Sequence, residues 1–134
     1  MTKLNRIEAI GPTFVEKLKS SGITTTEVLL ERGATPKGRK EIAQMTGIGE
    51  ERILRWVNLS DLFRIKGIGE EYSDLLEAAG IDTVPEMAKR NPENLYDVLI
   101  DVNEQKNLVR QVPSRTTVAT WVETAKTLPR VIKY

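Results

Sequence analysis

A chain of 134 residues with 20 Lys+Arg against 19 Asp+Glu carries a formal net charge of +1, and it contains neither Cys nor His. Without Cys there is no disulfide framework, no thiolate chemistry and no iron–sulfur or zinc-thiolate site. Without His the usual general base and the commonest metal ligand are missing, so a non-catalytic protein with no cofactor and no bound metal is expected. No window approaches 18 uninterrupted apolar residues, so no membrane span is expected. Met1–Arg6 has no apolar run behind it and does not read as a signal peptide; a cytoplasmic location follows as the expectation.

The elements follow from helix punctuation, taken in chain order. Gly11-Pro12 opens a first helix through Phe14, Val15 and Leu18, stopped by Gly22. Thr24-x-x-Glu27 is a capping-box pattern that predicts a second helix ending at Gly33. Thr35-Pro36 starts a third helix over Lys37–Met45. Gly49 precedes a fourth, with Ile53, Trp56 and Val57 at helical spacing. The plan then recurs. Glu70–Ala79 stops at Gly80, Thr83-x-x-Glu86 is a further capping box, Asn91-Pro92 opens a longer helix, and Ser114 caps the last one. The apolar end, Leu128–Tyr134, is expected to dock on the body rather than to hang free.

The recurrence is visible residue by residue. An offset of 58 places Thr2–Thr26 on Ser60–Val84, with Leu4, Arg6, Ile7, Ile10, Gly11, Leu18, Gly22, Ile23 and Thr25 repeated as Leu62, Arg64, Ile65, Ile68, Gly69, Leu76, Gly80, Ile81 and Thr83. An offset of 65 places Trp56 on Trp121, so an insertion is read into the polar stretch Asn103–Asn107. The expected organisation is a duplication with units 1–59 and 60–134. Each is too small to bury much surface alone, so the two are expected to pack into one compact all-α body of about eight to ten short helices.

Three segments place an aliphatic residue and a glycine turn before a helix: Ile7–Gly11, Met45–Gly49 and Ile65–Gly69. Val112-Pro113-Ser114 is a fourth place that has lost both glycines. Such a turn permits close backbone approach, anchors itself through Ile10, Ile48 or Ile68, and presents free N–H groups at the positive end of a helix. It can hold one phosphate of a nucleic-acid backbone without reading sequence.

The stretches Ile7–Ile23 and Ile65–Ile81 resemble the helix-hairpin-helix superfamily. The whole chain resembles an uncharacterised bacterial family of domains of unknown function built of tandem helix-hairpin-helix pairs. That likeness is carried by Ile10-Gly11-Pro12, Thr35–Lys40, Trp56-Val57-Asn58, Arg64–Tyr72, Ala79–Val84, Asn91–Leu95 and Trp121–Tyr134. The resemblance implies two such pairs gripping DNA across the minor groove. The phosphate-binding amides would belong to Gly11 and Thr13, Gly47 and Gly49, and Gly67 and Gly69. This chain departs from the pattern after the second glycine, where DNA-binding members carry a cation. It has Pro12-Thr13, Glu50-Glu51 and Glu70-Glu71 instead. Carboxylates there suit the helix dipole and repel a phosphate.

The first turn, with Lys17 behind it, and the basic cluster Lys37-Gly38-Arg39-Lys40 are therefore the best candidates for an anion. Cations in the first turn of a helix oppose its dipole, a local inconsistency that points to function. Charge also divides unevenly: Met1–Arg64 holds 11 basic and 8 acidic residues, Ile65–Tyr134 holds 9 and 11, so the halves are +3 and −2. Trp56 and Trp121, like Phe14 and Tyr72, read as core rather than as stacking platforms. The adjacent acidic pairs do not face each other on a helix and carry no catalytic reading. The leading expectation is a non-catalytic module that binds a DNA or RNA backbone weakly and without sequence preference. The alternative is a protein–protein adaptor whose hairpins are purely structural.

Overall fold

The computed structural model describes Leu4 and residues 10–134. Among them are eight α-helices and no strand: α1 (Pro12–Ser20), α2 (Thr26–Arg32), α3 (Pro36–Thr46), α4 (Glu50–Leu62), α5 (Glu70–Ala78), α6 (Val84–Ala88), α7 (Pro92–Lys106) and α8 (Arg115–Thr127). None is long and apolar enough to cross a membrane. The chain divides into two units, Met1–Asp61 with Val131–Tyr134, and Leu62–Arg130. The division falls inside the last turn of α4.

Side-chain caps set most of the helix starts. The hydroxyls of Thr25, Thr35, Thr83 and Ser114 and the amide oxygen of Asn91 each accept the N–H three residues on, at 3.1–3.4 Å. Each such cap is worth about 1 kcal/mol. In α2 the cap is Thr25, one residue later than the Thr24-x-x-Glu27 pattern predicts. Three consecutive threonines offer three registers, and the one adopted buries Thr26, Leu29 and Leu30 together.

Two helix ends share one construction. After α1, Ile23 N–H donates to the Leu18 carbonyl (2.9 Å) and Gly22 N–H to Lys19 (3.0 Å). After α5, Ile81 donates to Leu76 (2.9 Å) and Gly80 to Glu77 (3.0 Å). This double bond pattern needs a left-handed residue at its centre, and Gly22 and Gly80 supply it with φ of 83° and 90°. The aliphatic pairs Leu18/Ile23 and Leu76/Ile81 are fully buried beneath the two turns.

In the first unit the buried apolar residues include Leu18, Ile23, Leu29, Ile42, Ile53, Trp56 and Val57. In the second they include Leu75, Leu76, Met87, Leu99, Val118, Trp121 and Val122, with α8 packed on α6 and α7. Phe14 lies 5.3 Å from Trp56 and Tyr72 lies 5.3 Å from Trp121, ring centre to ring centre. The Trp rings are buried, as expected, whereas Phe14 and Tyr72 are only half-buried. The polar stretch Asn103–Asn107 is realised as helix: α7 has 15 residues where α3 has 11. It ends in a left-handed Asn107 (φ 50°), and the Asn103 side chain clasps Val109 by donating to its carbonyl (3.0 Å) and accepting its N–H (2.9 Å).

Candidate nucleic-acid interface

Of the first turn, Ile7–Ala9 lie outside the described residues, and Ile10 and Gly11 lead into α1. Ile10 is buried, and Gly11 caps α1 in an extended conformation with no side-chain cap. Pro12 has no N–H, and the Val15 N–H is taken by the Gly11 carbonyl (3.0 Å). The amides of Thr13 and Phe14 are therefore the donors left at this helix start, with no acidic residue in the first turn. Two cations sit on the Phe14 ring: Lys17 Nζ at 5.9 Å and the Arg52 guanidinium carbon at 4.9 Å from its centre. Both side chains are exposed. A ring face stabilises a cation by electrostatic attraction and here holds the pair beside the helix start.

The second turn spends the amides of Gly47 and Ile48 on its own residues. Gly47 is left-handed (φ 74°) and closes α3, its N–H donating to the Ala43 carbonyl at 2.9 Å. The Ile48 N–H donates to the Thr46 hydroxyl (3.2 Å), and the Gly49 carbonyl accepts from Ile53 (3.2 Å). The expected phosphate contact at the Gly47 amide is thus pre-empted, because the same N–H terminates a helix. Glu50 and Glu51 fill the first turn of α4. Gly47–Arg52 and Phe14 line a cleft of about 520 Å³, which sets α1 beside the second turn.

The basic cluster separates into two pairs. The Gly38 N–H is capped by the Thr35 hydroxyl (3.1 Å), and a Cβ built on Gly38 would lie 2.0 Å from the Arg32 carbonyl oxygen. Glycine is required there by backbone approach, not by a ligand. Arg39 is only 6% exposed, and its guanidinium donates to the carbonyls of Gly33 (2.8 Å) and Lys133 (2.9 Å). It is an internal tie and does not face a ligand. Lys37 and Lys40 remain exposed.

The third turn is closed differently. Gly67 (φ 95°) passes the indole of Trp121, whose Nε1 would lie 3.3 Å from an added Cβ. The Ile68 N–H turns back to the Ile65 carbonyl (3.2 Å). Gly69 caps α5 with no side-chain cap, and the exposed Glu71 follows in its first turn. At the fourth place Pro113 is buried and Ser114 caps α8.

A family model described as a domain of unknown function (DUF4332) matches residues 8–128. The chain belongs to that family. No curated protein and no solved structure matches it. Within this DUF4332 chain, the structure joins Gly47 and Gly49 to Phe14, and Lys17 to Arg52 across the same ring. Lys37 and Lys40 do not line that cleft. Arg52 escaped the reading of the sequence. It follows two glutamates that dominate the local charge, and only tertiary packing sets it against a ring 38 positions earlier.

Proposed function

We propose that this chain is a non-catalytic, intracellular binding module built of two helix-hairpin-helix pairs that arose by duplication, and that it holds a nucleic-acid backbone weakly and without reading sequence. The matching helix ends at Gly22 and Gly80 and the matching aromatic–Trp pairs at 5.3 Å support the duplicated architecture. The observation that carries the binding reading is the start of α1. The Thr13 and Phe14 amides meet no side-chain cap and no first-turn carboxylate, and Lys17 and Arg52 flank them on one ring. Helix-end amides and flanking cations are the elements that take a phosphate. Lys37 and Lys40 add exposed positive charge to the same unit.

The unit that holds this turn carries 11 basic and 8 acidic residues, and the other carries 9 and 11. The backbone contact therefore belongs to the first unit. The second unit, with Glu71 at its helix start, fits the adaptor reading better, as a body that contacts protein rather than phosphate.

Binding of DNA and RNA across a salt series tests the proposal. A module touching about 2–4 phosphates gives log K falling against log salt with a slope of roughly −2 to −4. Absence of any shift with duplex or single strands at about 50 mM salt and micromolar protein refutes it. A stoichiometric, nuclease-resistant protein partner establishes the adaptor instead.

A further inference from the structure

The last four residues, Val131–Tyr134, belong to the first unit although they follow the second in the chain. They are neither helix nor strand, and unit 1 receives them through a complete set of contacts. The Lys133 N–H donates to the Ala34 carbonyl at 2.7 Å, and the Lys133 carbonyl accepts from Arg39 at 2.9 Å. Both backbone polar groups of that residue are thus satisfied by the unit. Ile132 is 3% exposed, and the Tyr134 hydroxyl donates to the Asn58 side chain at 2.9 Å. The Lys133 side chain is exposed between them. Ile132 thus turns in and Lys133 out, while the Tyr134 ring stays 61% exposed and is held by its hydroxyl, as in an extended chain laid along a receptor surface.

The receptor side is built around Arg39. Arg39 is buried and aimed at Lys133, with its other bond to the Gly33 carbonyl (2.8 Å) holding it in place. Its guanidinium carbon also lies 5.9 Å from the Tyr134 ring centre. A buried cation whose acceptors are main-chain carbonyls loses one of them whenever the segment leaves. Another extended chain can restore that bond, because a carbonyl is common to every peptide. The buried Ile132 and the Tyr134 hydroxyl on Asn58 then set the choice of peptide.

We propose that the first unit carries a peptide-docking site, anchored on Arg39, Ala34 and Asn58, whose resident ligand is Val131–Tyr134 and which takes an extended Ile-x-Tyr peptide when that segment is displaced. The proposal stands on these contacts and is independent of nucleic-acid binding.

The test uses the full chain carrying Ile132→Ala and Tyr134→Ala, which frees the site. The probe is a peptide spanning Leu128–Tyr134, labelled with fluorescein at one end and amidated at the other, followed by fluorescence polarisation. The freed chain is expected to bind it at least about tenfold tighter than the unmutated chain, where the tethered segment competes at high local concentration. Ile132→Ala in the peptide, or Arg39→Gln in the freed chain, is expected to cost about tenfold or more. Equal binding to both chains, or none to a freed chain that circular dichroism shows to be folded, overturns the proposal. If the freed chain does not fold, amide exchange of Lys133 in the unmutated chain decides. Slowing of at least about tenfold relative to the free peptide supports docking, and exchange at the free-peptide rate overturns it.

Discussion

The two units use the same backbone devices and spend them on different chemistry. Each has a glycine-centred helix end over a buried Leu–Ile pair, and each sets an aromatic ring 5.3 Å from a buried Trp. Around the half-buried ring the chemistry parts. Phe14 carries two cations, while the Tyr72 hydroxyl donates to the Gln111 carbonyl at 3.4 Å. The helix starts diverge in the same sense: the first turn of α1 after Gly11 holds no acidic residue, and that of α5 after Gly69 holds the exposed Glu71. Two units can thus share one manner of packing and differ in surface chemistry, because burial and exposure are decided by different residues of the same turn.

Substitutions can break this comparison, the largest effects coming from shared packing. Trp56→Ala and Trp121→Ala are each expected to cost about 3–5 kcal/mol, read from urea unfolding. A much smaller loss for one would show that the two rings are not equivalent supports. Gly38→Ala is next, at about 2–4 kcal/mol, because its Cβ would meet the Arg32 backbone oxygen at 2.0 Å. The same change at Gly11, where nothing lies within 4 Å, is expected to stay within about 0.5 kcal/mol in thermal melts. Gly22→Ala and Gly80→Ala should each cost about 1–2 kcal/mol, since both place a side chain at φ near 90°. Unequal losses there would separate the two helix ends.

The smallest effects sharpen the difference in charge. Lys17→Ala with Arg52→Ala is expected to leave the melting temperature nearly unchanged and to flatten the salt slope of DNA binding by about 2. Loss of binding with an unchanged slope would place the phosphate contacts elsewhere. Glu71→Lys at the start of α5 should strengthen binding modestly at low salt if the second unit lacks only the cation.

Much of this was legible in the sequence, for local reasons. Helix starts follow from Thr35-Pro36, Asn91-Pro92 and Ser114, because a capping side chain and its amide are three residues apart. The shift from Thr24 to Thr25 shows where local chemistry stops deciding, since three threonines cap equally well and only burial chooses. The site was less legible for the same reason. The cluster Lys37–Lys40 reads as one basic patch along the chain, but Gly38 and Arg39 turn inward to Arg32, Gly33 and Lys133. Arg52 becomes part of the Phe14 surface through packing that no short spacing encodes.

The bond between Arg39 and Lys133 joins residues 94 positions apart. During synthesis, then, the first unit emerges early but lacks its closing piece until the whole second unit has been made. Chains usually complete their domains in order of emergence. Here the order is reversed: of the two units the one begun first is finished last, and Arg39 waits through 94 residues of synthesis for the carbonyl that completes its hydrogen bonds.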